Sequence, residues 1–536
     1  MKPSKNYISP LVALIFVSFV LRCVASYYLG LEIDEGYYIS YAFDPSISHF
    51  DHPPIVGFLV QLTTLNLSIL TEFAARLGFI ICGTLSLILI YLIGKKIRNP
   101  RTGLFAVCMA VANIYFSVYS SLIIIPDGPL VLFSLASFYF FLNFITGDPK
   151  EAKISHMILA FLFLGLAFYS KYLAAFLAFG VLLYIIFHNR KWFANITIYI
   201  LSLLPLFFIG LIFFWNYNND FISFSFHGTR FHLAHIRFDL IFTEIFSELG
   251  LFSPINVLIT IAAIYSFRKK RFISSSYFKL ILYCSIPMIL VVWFISLYNR
   301  AFPQWDGLSY VFLFLIGAAF LDEVLKSIKF PIIYAYAMLF VMGLAILIVH
   351  QGYFISNGYI PDLPNSQYTK SVFEPPNPKK WVTELGGNDP TLVMYGWTKA
   401  NSIYKNFIYK HPKYKDYPLV TMKYFPGGQT DFYIALPDKK NLIACGPLQN
   451  IRGYYFVNKR RKKLVKGENA LYIALSHVFS DPDNYFKNGY KYFKDVKILY
   501  RAPIYRNGKI MEFMFIYELI DFTGKQEEAE PILQQS

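Results

Sequence analysis

Apolar runs long enough to cross a bilayer recur through the first 350 residues, and nothing else in the chain constrains its fold so tightly. A helix of about 20 apolar residues crosses the ~30 Å hydrocarbon core. In that core only helices and closed barrels pair every backbone N–H and C=O. The first run covers 7–29. Others lie near 73–94, 104–125, 154–169, 193–215, 280–297 and 331–350, and four more end near Ile145, Arg190, Arg268 and Lys326. Clustered Lys and Arg occupy alternate turns: Lys95, Lys96, Arg98 and Arg101; Lys150 and Lys153; Arg190 and Lys191; Arg268 to Arg271; Lys326 and Lys329. Such clusters mark cytoplasmic turns. The remaining turns carry Asp, His, Trp and single basic residues. This alternation predicts about eleven transmembrane helices, with the N-terminus inside and the C-terminus outside. The first run is expected to stay as an anchor, because it is long for a signal peptide and Arg22 interrupts its end. The stretch 54–70 is amphipathic and is expected to lie in the interface.

Composition agrees. The 536 residues are 56% hydrophobic, 19% aromatic and only 15% charged, against about 25% charged in soluble domains. The net charge of +16 does not signal nucleic acid, since many basic residues sit between apolar runs and no zinc-finger or RNA-binding motif appears. Beyond about residue 350 the long apolar runs stop and polar residues, lysines and prolines rise. Short apolar segments at 392–395, 441–444, 454–457, 470–474, 496–500 and 513–519 read as strands, the last two as a hairpin around Gly508, with a helix at 400–409. The expected division is a transmembrane domain over 1–350, a soluble α/β domain over 351–522 and a disordered tail over 523–536. Only Cys445 of the five cysteines lies in the polar part, so that part has no internal disulfide.

The chemistry-bearing stretch is 34–54, DEGYYISYAFDPSISHFDHPP. Adjacent carboxylates, Asp34 and Glu35, stand where the chain leaves the membrane. His49, Asp51 and His52 follow, closed by Pro53 and Pro54, which forbid a helix there. A lone Asp at such a point caps a helix. This combination at a membrane boundary points to function. Asp127, Lys171, Arg230 and Arg300 fall in other turns assigned to the same side. Carboxylates can take a proton from an attacking hydroxyl, and Lys and Arg can hold a phosphate leaving group. A lipid-linked sugar phosphate meets these requirements: its tail stays in the bilayer, its phosphate lies at the interface, and it carries its own activation. Attack opposite the phosphate inverts the anomeric centre, through an oxocarbenium-like state. Asp127 between two prolines can equally cap a helix, Lys171 can snorkel, and Trp305 suits either a sugar platform or the interfacial belt. A divalent metal held by Asp51, His52, His227 and His232 is an alternative without a tight ligand signature.

The loop DEGYY…FDHPP (34–54), the turns IPDGP (125–129) and SKY (170–172), the loop WNYNNDFISFSFHGTRFH (215–232) and the turn PQW (303–305) follow one another in this order along the chain. Together they resemble the bacterial protein O-mannosyltransferase-like glycosyltransferases of the GT-C superfamily, which include the aminoarabinose–lipid A transferases and lipopolysaccharide galacturonosyl transferases. The resemblance implies an integral membrane enzyme using a polyprenyl-phosphate sugar, with a C-terminal domain that helps acceptor access. It makes Asp34, Glu35 and Asp127 the catalytic acids and gives the donor phosphate to Lys171, Arg230 and His52. Where some relatives have Glu and Lys before the two prolines, this chain has Asp51 and His52. The expected function is inverting transfer of a sugar from undecaprenyl phosphate to lipid A, lipopolysaccharide or another envelope glycan. It would take place on the periplasmic face of the bacterial cytoplasmic membrane, with no required cofactor. Rivals are a protein O-glycosyltransferase, a flippase for lipid-linked sugars, which would need polar residues on both sides of the midplane, and a glycolipid-binding scaffold.

Overall fold

The computed structural model describes residues 7–228, 235–351, 391–506 and 509–525. It forms two compact units. One consists of Met1–Val24, Ile47–Leu59 and Arg76–Gly343, the other of Ala25–Ser46, Val60–Ala75 and Leu344–Ser536.

The helices up to residue 351 follow the apolar runs. They are α1 (Ile8–Tyr28), α2 (Ile33–Phe43), α3 (Ile55–Thr63), α4 (Glu72–Ile97), α5 (Pro100–Val111), α6 (Asp127–Phe141), α7 (Ile154–Phe168), α8 (Ala175–His188), α9 (Ile196–Tyr217), α10 (Ile222–Gly228), α11 (Phe238–Phe252), α12 (Pro254–Phe267), α13 (Ser275–Ser296), α14 (Gly307–Val324) and α15 (Lys329–Gln351). The chain is a multi-pass helical membrane protein, but the count of eleven spans is not confirmed. Among the described residues six helices are long and apolar enough to cross: α1, α4, α9, α13, α14 and α15. Counting α11 and α12 as one broken span makes seven. These two meet at 100°, because Ser253 takes a positive φ of 64° and Pro254 opens the next helix. The predicted span 104–125 is also broken. Helix α5 stops at Val111, where the Ser117 hydroxyl donates to its carbonyl at 2.7 Å and Asn113 accepts from Phe116 N–H at 3.2 Å. A π-helical turn, Tyr115–Tyr119, follows. Helix α3 is nine residues, about 13 Å, too short to cross.

In the first unit α14 is the central element. Nearly all its residues are buried, and it packs against α5, α12 and α13. Its two ends carry different polar networks, about 24 Å apart at 1.5 Å per residue. At its C-terminal end Asp322 accepts from Arg98 at 2.7 Å and Arg101 at 3.1 Å, Glu323 pairs with Arg98 at 2.7 Å, and Lys270 joins Glu323. The basic turn read from sequence as an orientation signal therefore also bolts α4 and α5 to α14.

In the second unit the polar part forms the α/β domain. Its described elements are α16 (Trp397–Lys410), β1 (Leu419–Thr421), α17 (Tyr424–Thr430), β2 (Leu442–Ala444), α18 (Leu448–Ile451), α19 (Tyr454–Arg460), β3 (Ala470–Leu475), β4 (Phe493–Arg506) and β5 (Lys509–Phe522). The sheet order is β2-β1-β3-β5-β4, with β1 parallel to β2 and β3 and β5 antiparallel to β3 and β4. The hairpin and the helix near 400 are where the sequence placed them. Residues 454–457 are helical instead of a strand, and Leu392–Met394 is a single 3-10 turn. A short apolar run does not distinguish helix from buried strand. Here the hydroxyl of Tyr454 reaches Asp431 at 2.9 Å and Val457, three residues on, shares the buried face. The five cysteines are free. The tail beyond Lys525 lies outside the described residues.

Candidate functional site

In the second unit Asp34 and Glu35 open α2. The preceding residue Glu32 accepts the Asp34 N–H at 2.7 Å, and Glu35 accepts the Glu32 N–H at 2.8 Å. This is a capping box built from glutamates, which satisfies free amides at the start of the helix. Glu35 is buried and its carboxylate serves the cap, whereas Asp34 is exposed. Burial pushes the Glu32 carboxyl up to about 7, and the charge of Asp34 adds to the shift. The sequence reading passed over Glu32, although an acid three residues before Glu35 was the available signal.

Helix α2 is clamped along its length. It crosses α17 with Gly36 against Gly428, where a Cβ on Gly428 would fall 2.3 Å from the Gly36 backbone. Ahead of it, the Tyr433 hydroxyl accepts from Leu31 N–H at 2.9 Å and donates to Glu72 at 3.0 Å. The Gln429 amide donates to the Leu31 carbonyl at 2.9 Å. Within the helix, Tyr37 accepts from Gly453 N–H at 3.1 Å. At its far end the buried Asp44 pairs with Arg460.

In the first unit Asp127 and Lys171 form a buried ion pair at 2.7 Å. The Tyr115 hydroxyl donates to the other Asp127 oxygen at 3.0 Å, presented by the π-helical turn. Gly307, the first residue of α14, lies flat against Tyr115: a Cβ there would sit 2.2 Å from the ring. Beside it, Asp306, Glu244 and Glu248 are buried. Glu248 accepts from Trp293 Nε1 at 3.0 Å and from Tyr310 at 2.9 Å, and Phe252 stacks on Tyr310 at 4.0 Å. The sequence reading missed this acidic group; its signal was carboxylates inside otherwise apolar segments.

The FDHPP, SKY and 215–227 segments also meet in this unit. The rings of His52, Tyr172 and His227 lie 6.2–6.3 Å apart. His227 Nε2 is 3.0 Å from the Asp51 carbonyl, Phe50 packs on Phe226 at 4.7 Å, and Tyr169 donates to the Ile47 carbonyl at 2.8 Å. Asp51 and His49 are buried. Arg230 and His232 lie outside the described residues. Among the described residues no three His, Cys, Asp or Glu side chains stand close enough together to hold a metal ion, so no step is derived through one.

Residues 51–215 match the sequence family described as dolichyl-phosphate-mannose-protein mannosyltransferases. The fold is that of ArnT from Cupriavidus metallidurans, both apo and bound to undecaprenyl phosphate. Each comparison has a TM-score of 0.61 at 14% identity, covering 96% of this chain and 99% of that one. The oligosaccharyltransferase of Archaeoglobus fulgidus aligns at a TM-score of 0.41 with 16% identity, over 87% of this chain and 68% of its own. No curated protein matches this sequence. These likenesses define the fold of the chain as that of ArnT, and its 51–215 segment as similar to the dolichyl-phosphate-mannose-protein mannosyltransferase family. Its resemblance is to the protein O-mannosyltransferase-like and aminoarabinose–lipid A transferase-like enzymes, through the 51–215 segment and the fold of the whole chain.

Proposed function

We propose that the chain moves a sugar from a polyprenyl phosphate, undecaprenyl phosphate in a bacterial membrane, to a cell-envelope acceptor such as lipid A, lipopolysaccharide or another glycan, on the periplasmic face. The observation that carries this reading is the ArnT likeness over nearly the whole chain, in a form bound to undecaprenyl phosphate. The exposed Asp34 at the head of α2 supports it. Asp34 takes the proton of the acceptor hydroxyl. The acceptor oxygen forms its bond to the anomeric carbon from the side opposite the phosphate, and polyprenyl phosphate leaves with the electron pair of the broken C–O bond. Glu35 and Glu32 hold the geometry of that acid rather than sharing its chemistry. Lys171, His52 and Arg230 are assigned to the donor phosphate. The Asp127 partner of Lys171 means that a phosphate there competes with a carboxylate for the ammonium.

Asp34→Asn abolishes transfer in vesicles supplied with the sugar-charged lipid while the protein still inserts. Full activity of that variant removes the assignment. The 51–215 family match, described for protein mannosyltransferases, favours a second reading in which protein Ser or Thr hydroxyls accept the sugar. Mass spectrometry of glycolipids and envelope proteins from a strain lacking the protein separates the two, because only the true acceptor loses its sugar.

A further inference from the structure

A cleft of about 250 Å³ opens in the α/β domain between α19, β2 and the end of β5. Ligand pockets for drug-sized molecules run roughly 300–1,000 Å³, so this one suits a single sugar residue. Its floor is aromatic and apolar: Tyr492 and Phe522 are buried members of the domain core. Tyr455, from α19, forms one wall. Its rim carries Lys459, Lys463 and Lys525, all exposed, and among the described residues no carboxylate lines it. One sign of charge around an apolar hollow focuses field on its mouth and draws counter-ions.

The cleft is a built feature. The Asn458 amide donates to the Ala444 carbonyl at 2.8 Å and accepts from Ala444 N–H at 3.1 Å, locking α19 along the outer edge of β2. Arg461, just past α19, is held by the buried Asp431 at 2.7 Å and donates to the Leu442 carbonyl at 2.6 Å. In the basic run Lys459 to Lys463, Arg460 and Arg461 point to internal carboxylates, while Lys459, in the last turn of α19, and Lys463, in the extended segment after it, both reach the cleft. Lys459 rides over the Tyr455 ring at 4.3 Å, and Lys525 donates to the Tyr490 carbonyl at 3.0 Å.

The opposite face of α19 reaches α2. Gly453, immediately before α19, donates to Tyr37, and Arg460 binds Asp44 and the Pro45 carbonyl. One two-turn helix therefore joins the cleft to the helix that bears Asp34.

We infer that this cleft binds an anionic sugar group, phosphorylated or carboxylated, with the ring on the aromatic floor and the anion among the three lysines. Resting on the proposed transfer, it is a docking point for an anionic acceptor, positioned through α19 relative to Asp34.

The test uses the full chain in detergent and measures equilibrium binding of glucose 1-phosphate, glucose, and a phosphorylated glucosamine disaccharide lipid. The variants are Lys459→Gln/Lys463→Gln/Lys525→Gln and the single Lys463→Glu, all at exposed positions, with thermal unfolding as the folding control. The expected result is binding of at least one phosphorylated probe, weakened tenfold or more by the triple variant and measurably by the single one, with glucose indifferent to both. Binding of the free sugar phosphate assigns a soluble source; binding of the lipid probe alone assigns a glycolipid head group. Asp34→Asn is expected to bind as the unaltered chain does, so a failure of the transfer reading leaves this result standing. Phosphorylated probes that bind both lysine variants as tightly as the unaltered chain, or do not bind at all, overturn the inference. So does equal, lysine-dependent binding of sugar-free anionic phospholipid vesicles, which makes the patch a membrane contact.

Discussion

Glu32 and Asp34 lie two residues apart at the head of α2, Glu32 partly buried and Asp34 exposed. The Glu32 carboxyl is raised by burial and by Asp34 to about 7 in the folded chain, against about 4.5 when unfolded. The folded state holds that proton more tightly. The stabilisation is therefore complete below about pH 4.5 and is lost as pH rises through 7. Amide exchange at residues 33–36 should quicken across that window, and Glu32→Gln should flatten the dependence. An unchanged pH profile in the variant would assign the effect elsewhere. The Asp127–Lys171 pair makes the second residue-scale case. Lys171→Ala strands a buried carboxylate and should cost about 3–5 kcal/mol, read by denaturant titration in detergent. Adding Asp127→Asn should recover much of that loss. If Lys171→Ala is neutral for stability, the pair is not closed in the resting protein.

At the scale of elements, two glycine contacts set the position of chemistry. Gly428→Ala pushes a methyl into the backbone of Gly36, so α2 must lift from α17 and carry Asp34 with it. Gly307→Ala pushes against Tyr115, the donor to Asp127. Overpacking of this kind costs about 1–3 kcal/mol. Each variant should also lower transfer, with kcat falling more than stability alone explains; normal kcat in either would mean that the contact only packs. These contacts were not legible beforehand. Gly36 and Gly428 are nearly 400 residues apart, and each is unremarkable in its local sequence. The broken third span was equally hidden, because Asn113 and Ser117 end α5 by side-chain hydrogen bonds that an average of hydropathy does not register. Helix 454–460 misread as a strand has the same origin: the run is too short for its period to show.

For the whole molecule, the open question of span number has a direct test. His235 and Lys269 are exposed and flank the bent pair α11–α12. If that pair crosses the membrane, His235→Cys and Lys269→Cys are labelled from opposite faces in sealed vesicles by a membrane-impermeant thiol reagent. Labelling from the same face makes the pair a re-entrant loop. The expectation is opposite faces, with Lys269 cytoplasmic, because the cluster Arg268 to Arg271 follows the positive-inside rule. What the amino-acid order determined unaided was the membrane class, the place of nearly every apolar helix, the change to an α/β domain and the turns that hold the acids and bases. Those depend on local hydropathy and charge, which act over a few residues. Tertiary structure alone decided that Glu35 caps while Asp34 is exposed, that Lys171 is already paired, that Glu244, Glu248 and Asp306 share one buried place, and that lysines around α19 ring a cleft. Each of these outcomes depends on packing between segments distant in the chain, where burial and a partner's charge set what a side chain can do.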